Sequence, residues 1–112
     1  MLSFRLFSSS AKTTLYRSVS DSEAANIFKT NKFSTVVQGY EGKQFGFDFS
    51  ETLRFGNAMN QTRVVECSIP TDMLKLFDHT PVDTIIFKHG TLTVPKELLD
   101  TFNNAISNLK IH

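Results

Sequence analysis

"TTLYRSVSDSEAANIFKT", residues 13–30, joins a strand, a capping signal and a helix start in one short stretch. The run "TLYRSV", residues 14–19, is β-branched and aromatic and predicts a short strand. "SDSE" follows it. Ser20 can offer its hydroxyl to a first helical turn, and Glu23 stands three residues later, the spacing of a capping box. The helix beyond places Ala24, Ile27 and Phe28 on one face. It should end near Asn31, a residue type that tolerates left-handed geometry. One residue sits oddly in this pattern. Arg17, between Tyr16 and Ser18, either snorkels to water or faces a pocket and takes an anion.

Beyond this opening, residues 33–44 are polar with Gly39 and Gly42, a loop around a short strand at 35–37. "QFGFDFS", 44–50, alternates, so Phe45, Phe47 and Phe49 form one apolar strand face. Gly46 inside that strand signals a close approach to its backbone. Ser50 then caps a helix, "ETLRFGNAMN", with Leu53 and Ala58 or Met59 inward and Gly56 weakening it. "TRVVECSI", 62–69, is a strand that Pro70 ends, and "DMLKLF" is a short helix. "TIIFK" and "TLTV" read as strands around a turn at "HG". Pro95 opens a last helix over 96–109, with Leu98, Leu99, Phe102, Ile106 and Leu109 at helical spacing. The alternation of short strands and helices defines an α+β fold with several antiparallel strands.

The totals bound the function. The chain has 112 residues, 40% of them apolar and eleven of them Phe, which supports one packed domain. The net charge is +1 with both signs interspersed, so neither a basic nucleic-acid face nor an acidic tail is indicated. No apolar run approaches membrane-spanning length, so no membrane partner is expected. Cys67 is the single cysteine and reads as a small buried apolar residue. His79, His89 and His112 show no ligand spacing, so no metal is expected. "MLSFRLFSSSAK", 1–12, is basic, serine-rich and free of acids. It reads as a disordered leader or linker, or as a mitochondrial-type presequence, ahead of a domain spanning 13–112.

No phosphate loop, nucleophile elbow or dinucleotide fingerprint occurs. The chemistry instead enters through three segments taken in order: "LYRSVSDSEAANIFKTNKF" at 15–33, "EGKQFGFDFSETLRFG" at 41–56 and "RVVECSIPTDMLKLF" at 63–77. Together they resemble the ADP-ribosyltransferase-fold domains of bacterial polymorphic toxins. That resemblance implies a split pair of small antiparallel sheets with flanking helices and a cleft that holds NAD. It implies that Tyr16, Arg17 and Ser18 of the first strand, with Gly46 and Phe47 of the next, contact the dinucleotide. Arg17 would grip phosphate or ribose oxygens with its fixed fork of donors, and its loss should leave the fold intact. Phe47 would pack on the nicotinamide ring. The resemblance also implies a glutamate on the last cleft strand, set against the positive charge that develops as nicotinamide leaves. In "KHGTLTVP" that position holds Thr91 or His89. Glu97 lies just beyond, and Glu66 is a second carboxylate to consider. The function so implied is NAD-dependent mono-ADP-ribosyl transfer to an unknown macromolecular acceptor by a toxin or effector. Such an effector would be secreted into a target-cell cytoplasm and countered by a cognate immunity protein. The alternative is a degenerate, binding-only domain of the same fold, or a mitochondrial interaction protein.

Overall fold

In the computed structural model, the described residues are 11–34, 42–80 and 86–112. They form an α+β domain built on one six-stranded antiparallel sheet. The strands are β1 (Lys12–Val19), β2 (Gly42–Gly46), β3 (Arg63–Pro70), β4 (Asp78–Thr80), β5 (Thr91–Pro95) and β6 (Ser107–Ile111). Their order across the sheet is β4-β5-β2-β1-β3-β6. Three α-helices flank it: α1 (Asp21–Thr30), α2 (Phe49–Ala58) and α3 (Leu99–Ala105). A 3-10 helix at Thr71–Leu76 follows β3, and another at Lys96–Leu98 leads into α3. The expected strands at 35–37 and in the first part of "TIIFK" lie outside the described residues, as does most of the leader. Lys12, assigned to that leader, already belongs to β1.

The two halves of the sheet are joined unequally. β1 pairs with β3 along its whole length, from Lys12↔Pro70 to Val19↔Arg63. β2 pairs with β5 over five consecutive positions. Between β1 and β2 the register holds one pair, Tyr16↔Gly46. The separate sheets of the sequence reading are therefore one sheet, hinged at a single rung.

Period-2 alternation assigns the two faces. On one face Leu15 and Val19 of β1, Val65, Cys67 and Ile69 of β3, Phe45 of β2, and Leu92 and Val94 of β5 are all buried. Ala24 and Ile27 of α1, with Leu99 and Phe102 of α3, close over them. Phe102 packs against Phe45, Phe33 and Phe77 at ring-centroid distances of 4.9, 6.0 and 5.6 Å. Asn103 ties the chain after α1 to this cluster. Its side chain accepts from the Phe33 N–H at 2.9 Å and donates to the Phe33 carbonyl at 2.7 Å. Helix α2 covers the opposite face, above Tyr16 and Ser18.

Several local expectations change here. The Ser20 hydroxyl accepts from the Glu23 N–H at 3.2 Å, and Asn31 ends α1 at φ 60°. The Glu23 carboxylate completes no box, because Arg17 and Lys43 claim it. Phe28 is 84% exposed rather than inward. The alternating run 44–50 stops being a strand at Gly46, because Asp48, not Ser50, caps α2 and accepts from the Glu51 N–H at 3.0 Å. Of its three phenylalanines Phe45 is fully buried in the core, and Phe47 packs partly buried against it. In α2, Leu53, Ala58 and Met59 are exposed, and Glu51, Thr52 and Gly56 face inward. The helix proposed for 96–109 ends at Ala105, and the chain turns into β6 on the edge of β3. Leu109 fits the helical spacing but also a strand period with Ser107 and Ile111, and β3 offered an unpaired edge.

Candidate functional site

Where β1 and β2 part beyond their single rung, a cleft of about 390 Å³ opens. That lies within the range of ~300–1,000 Å³ typical of small-molecule sites. Tyr16, Arg17 and Ser18 of β1 and Gly42, Gln44 and Gly46 of β2 form its strand walls. Thr52, Phe55 and Met59 of α2, with Gln61 and Phe87, complete it. Four of the five residues assigned to the dinucleotide thus meet in one hollow. The fifth, Phe47, does not line it and packs edge-on against His79 at 5.4 Å.

The closeness signalled by Gly46 comes from the protein itself. A Cβ at this position would stand 2.5 Å from the Thr52 hydroxyl and 3.0 Å from the Phe87 ring. Gly56 serves α2 in the same way, since a Cβ there would come within 2.8 Å of the Ser18 Cβ. These two glycines let α2 and Phe87 descend onto the strand wall and narrow the cleft.

Arg17 is largely withdrawn from solvent, with its side chain 18% exposed. Its Nε donates to one Glu23 oxygen at 2.9 Å, and Nη2 donates to the other at 3.1 Å. Nη1 reaches across the seam to the Gln44 carbonyl at 3.3 Å. A guanidinium has five N–H donors, so the three bonds to described residues leave two that no described residue takes. Lys43, buried on β2, approaches the same carboxylate at 3.5 Å. Two cations around one anion leave a net positive charge beside the cleft. Burial alone would raise the Glu23 carboxyl, but hydrogen bonding and charge from Arg17, and then Lys43, hold it below its ordinary range. Burial and the charge of Arg17 push the Lys43 ammonium below the usual lysine value, outweighing the pull of Glu23. Tyr16 is raised by burial and by the nearby carboxylates of Glu66 and Asp48.

The acidic candidates do not converge on this cleft. Glu97 is exposed on the 3-10 helix that follows β5. Glu66 faces Tyr16 across the β1–β3 register and is engaged by His112 Nε2 at 2.8 Å. Thr91, at the position where the resemblance places the acid, is buried and pairs with Gly46. His89 is exposed on the turn before β5, held by Glu51. Sequence reasoning took Glu23 for a helix-cap residue and did not single out Lys43. It also missed the aromatic pair Phe55–Phe87, whose rings stand 5.2 Å apart. Glu23, six residues after Arg17 with a turn between, was the available signal. Among the described residues no cluster of three or more His, Cys, Asp or Glu side chains could hold a metal ion. None of the described helices is long and apolar enough to cross a membrane.

Comparison with family models, with curated proteins and with solved structures yields no match for this chain.

Proposed function

We propose that this chain is an NAD-binding domain of ADP-ribosyltransferase type, with the hollow at the β1–β2 seam as its dinucleotide site. The observation that carries this reading is Arg17, which lines the cleft with two donors that no described residue takes and a net positive charge around it. Anionic phosphate oxygens are natural acceptors for such a fork. Phe55, Phe87 and Tyr16 offer aromatic surface for a flat ring, and Gln44 and Gln61 offer amide groups for ribose or carboxamide. Transfer of ADP-ribose to a macromolecular acceptor, as by a toxin or effector with an immunity partner, is the activity that accompanies this site.

One observation favours a second reading, binding without transfer. Among the described residues lining the cleft there is no carboxylate. The deciding experiment is titration with NAD by calorimetry, together with incubation of the protein and labelled NAD in a cell lysate. Binding that Arg17→Lys weakens by about tenfold or more supports the site, since an ammonium is no substitute for a fork. Labelled macromolecules then select transfer, and binding without label selects the second reading. No saturable binding of NAD refutes both.

A further inference from the structure

A second constellation adjoins the cleft wall without lining it, next to Thr52 and Phe55 on one side and Phe87 on the other. Glu51 and Phe55 are one turn apart on the same face of α2. Phe55 meets Phe87 in the cleft wall, and Glu51 meets His89, two residues further along that segment. The Glu51 side chain is only 8% exposed, and both of its oxygens are given to one residue. Oε1 accepts from the His89 backbone N–H at 3.2 Å, and Oε2 lies 2.6 Å from His89 Nδ1. An ionised carboxylate only accepts, so Nδ1 carries the shared proton and Nε2 is left as the basic atom. Glu51 also sits in the first turn of α2. The His89 ring, held at one edge, is otherwise open, with its side chain 65% exposed. A surface histidine seldom has its backbone and ring clasped by a single buried carboxylate.

We infer that His89 Nε2 is the proton acceptor for the nucleophile that attacks a dinucleotide bound in the cleft, with Glu51 as its positioning residue. The inference rests on the NAD reading of that cleft. It assigns the proton-transfer role to the turn before β5 in a chain whose described cleft-lining residues include no carboxylate. With water as nucleophile, the oxygen bonds to C1′ of the nicotinamide ribose. The C1′–N bond breaks, and its electron pair goes to the pyridinium nitrogen, which becomes neutral. The water proton passes to His89 Nε2 and then to solvent. The products are ADP-ribose and nicotinamide. A hydroxyl or amine acceptor would follow the same course, with its oxygen or nitrogen in place of water.

The test measures NAD affinity and nicotinamide release separately, on the full chain. Wild type, His89→Ala, His89→Gln and Glu51→Gln are compared, each checked by its melting curve. Wild-type binding with nicotinamide release is expected. Both His89 variants should keep NAD affinity within about threefold and lose release by roughly 10²–10⁴-fold, the usual contribution of a positioned base. Added imidazole should restore part of the His89→Ala rate and none of the Glu51→Gln loss, a pattern that a merely structural histidine would not give. Full activity in His89→Ala, or a loss that imidazole leaves untouched, overturns the assignment. NAD binding by wild type without nicotinamide release overturns it while leaving the binding reading intact. Absence of NAD binding overturns both.

Discussion

Replacing Arg17 by Ala should destabilise the domain as well as empty the cleft. The sequence alone suggested a side chain facing a pocket, removable at no cost to the fold. The geometry gives it a second task. Its two bonds to Glu23, at 2.9 and 3.1 Å, join side chains that are 18% and 21% exposed. Breaking a fully buried pair costs ~3–5 kcal/mol because the survivor is left charged and desolvated. Here a fifth of each group meets water, and Lys43 remains 3.5 Å from the orphaned carboxylate. We therefore expect a loss of about 2 kcal/mol, near that of one or two charge-assisted hydrogen bonds. For a domain of this size that lowers Tm by roughly 8–16 °C. Urea unfolding of Arg17→Ala, Glu23→Gln and the double variant isolates the pair. A coupling of about 1–2 kcal/mol is expected, because Glu23→Gln removes the charge that Arg17→Ala strands. Single effects that add to within ~0.5 kcal/mol would mean the two side chains do not hold each other, and the electrostatics described for the cleft would fail with them.

Four further outcomes can be checked independently. Gly46→Ala should cost about 1–3 kcal/mol in urea unfolding, since its methyl meets the Thr52 hydroxyl and the Phe87 ring, and an unchanged midpoint would refute that close packing. Phe102→Ala should cost roughly 3–5 kcal/mol, because its ring touches Phe33, Phe45 and Phe77 in the core; Phe49→Ala, half-buried against Tyr16 and His112, should cost clearly less. The Cys67 thiol, buried and pushed up to about 12 chiefly by desolvation, should resist alkylation at neutral pH until the chain unfolds, and fast labelling of the native protein would contradict its place in β3. Because the Glu23 carboxyl is lowered in the fold, its contribution to stability is fully present above its unfolded value, ~4.3, and disappears as pH falls through the lower folded value; Glu23→Gln should therefore flatten the acid limb of a stability–pH curve.

The parts of the fold legible in the sequence were those whose signals are local. Ser20 and Asn31 mark the ends of α1 because caps are decided by a few neighbouring backbone groups. β1 and β3 were readable from β-branched runs that stay apolar along one face. The errors came where two periods fit the same residues. Leu109 suits a helix with Phe102 and Ile106 or a strand with Ile111, and the free edge of β3, invisible in sequence, decided for the strand. Phe47 and Phe49 continue the alternation of Phe45, but Asp48 starts a helix between them, so Phe47 only packs against the edge of the core and Phe49 sits half-buried against Tyr16 and His112. For the candidate site, Arg17 and Gly46 stood out as breaks in the strand pattern, and the resemblance grouped Tyr16 and Ser18 with them; all four line one cleft. Lys43, Glu23, Phe55 and Phe87 did not stand out, since only the long-range pairing of β1, β2 and α2 brings them to one place.

The seam itself follows from those residues. A strand pair zips when each rung after the first adds bonds and packing on both faces. Beyond Tyr16↔Gly46, closure of β1 on β2 would have to accommodate a guanidinium whose fork is already fixed on Glu23. Arg17 instead bridges the gap with one bond to the Gln44 carbonyl, so a backbone acceptor at the opening is satisfied by a side chain. The ion pair, partly buried and tied to α1, is placed to act as a wedge at this opening. Widening or closing of the seam should then track the Arg17–Glu23 contact. Hydrogen exchange offers the direct reading: amides of β2 near Gln44 should gain or lose protection in Arg17→Ala while those of the fully paired β1–β3 ladder change only with global stability. Uniform change across both ladders would show that the wedge has no local action and that the opening is set by α2 alone.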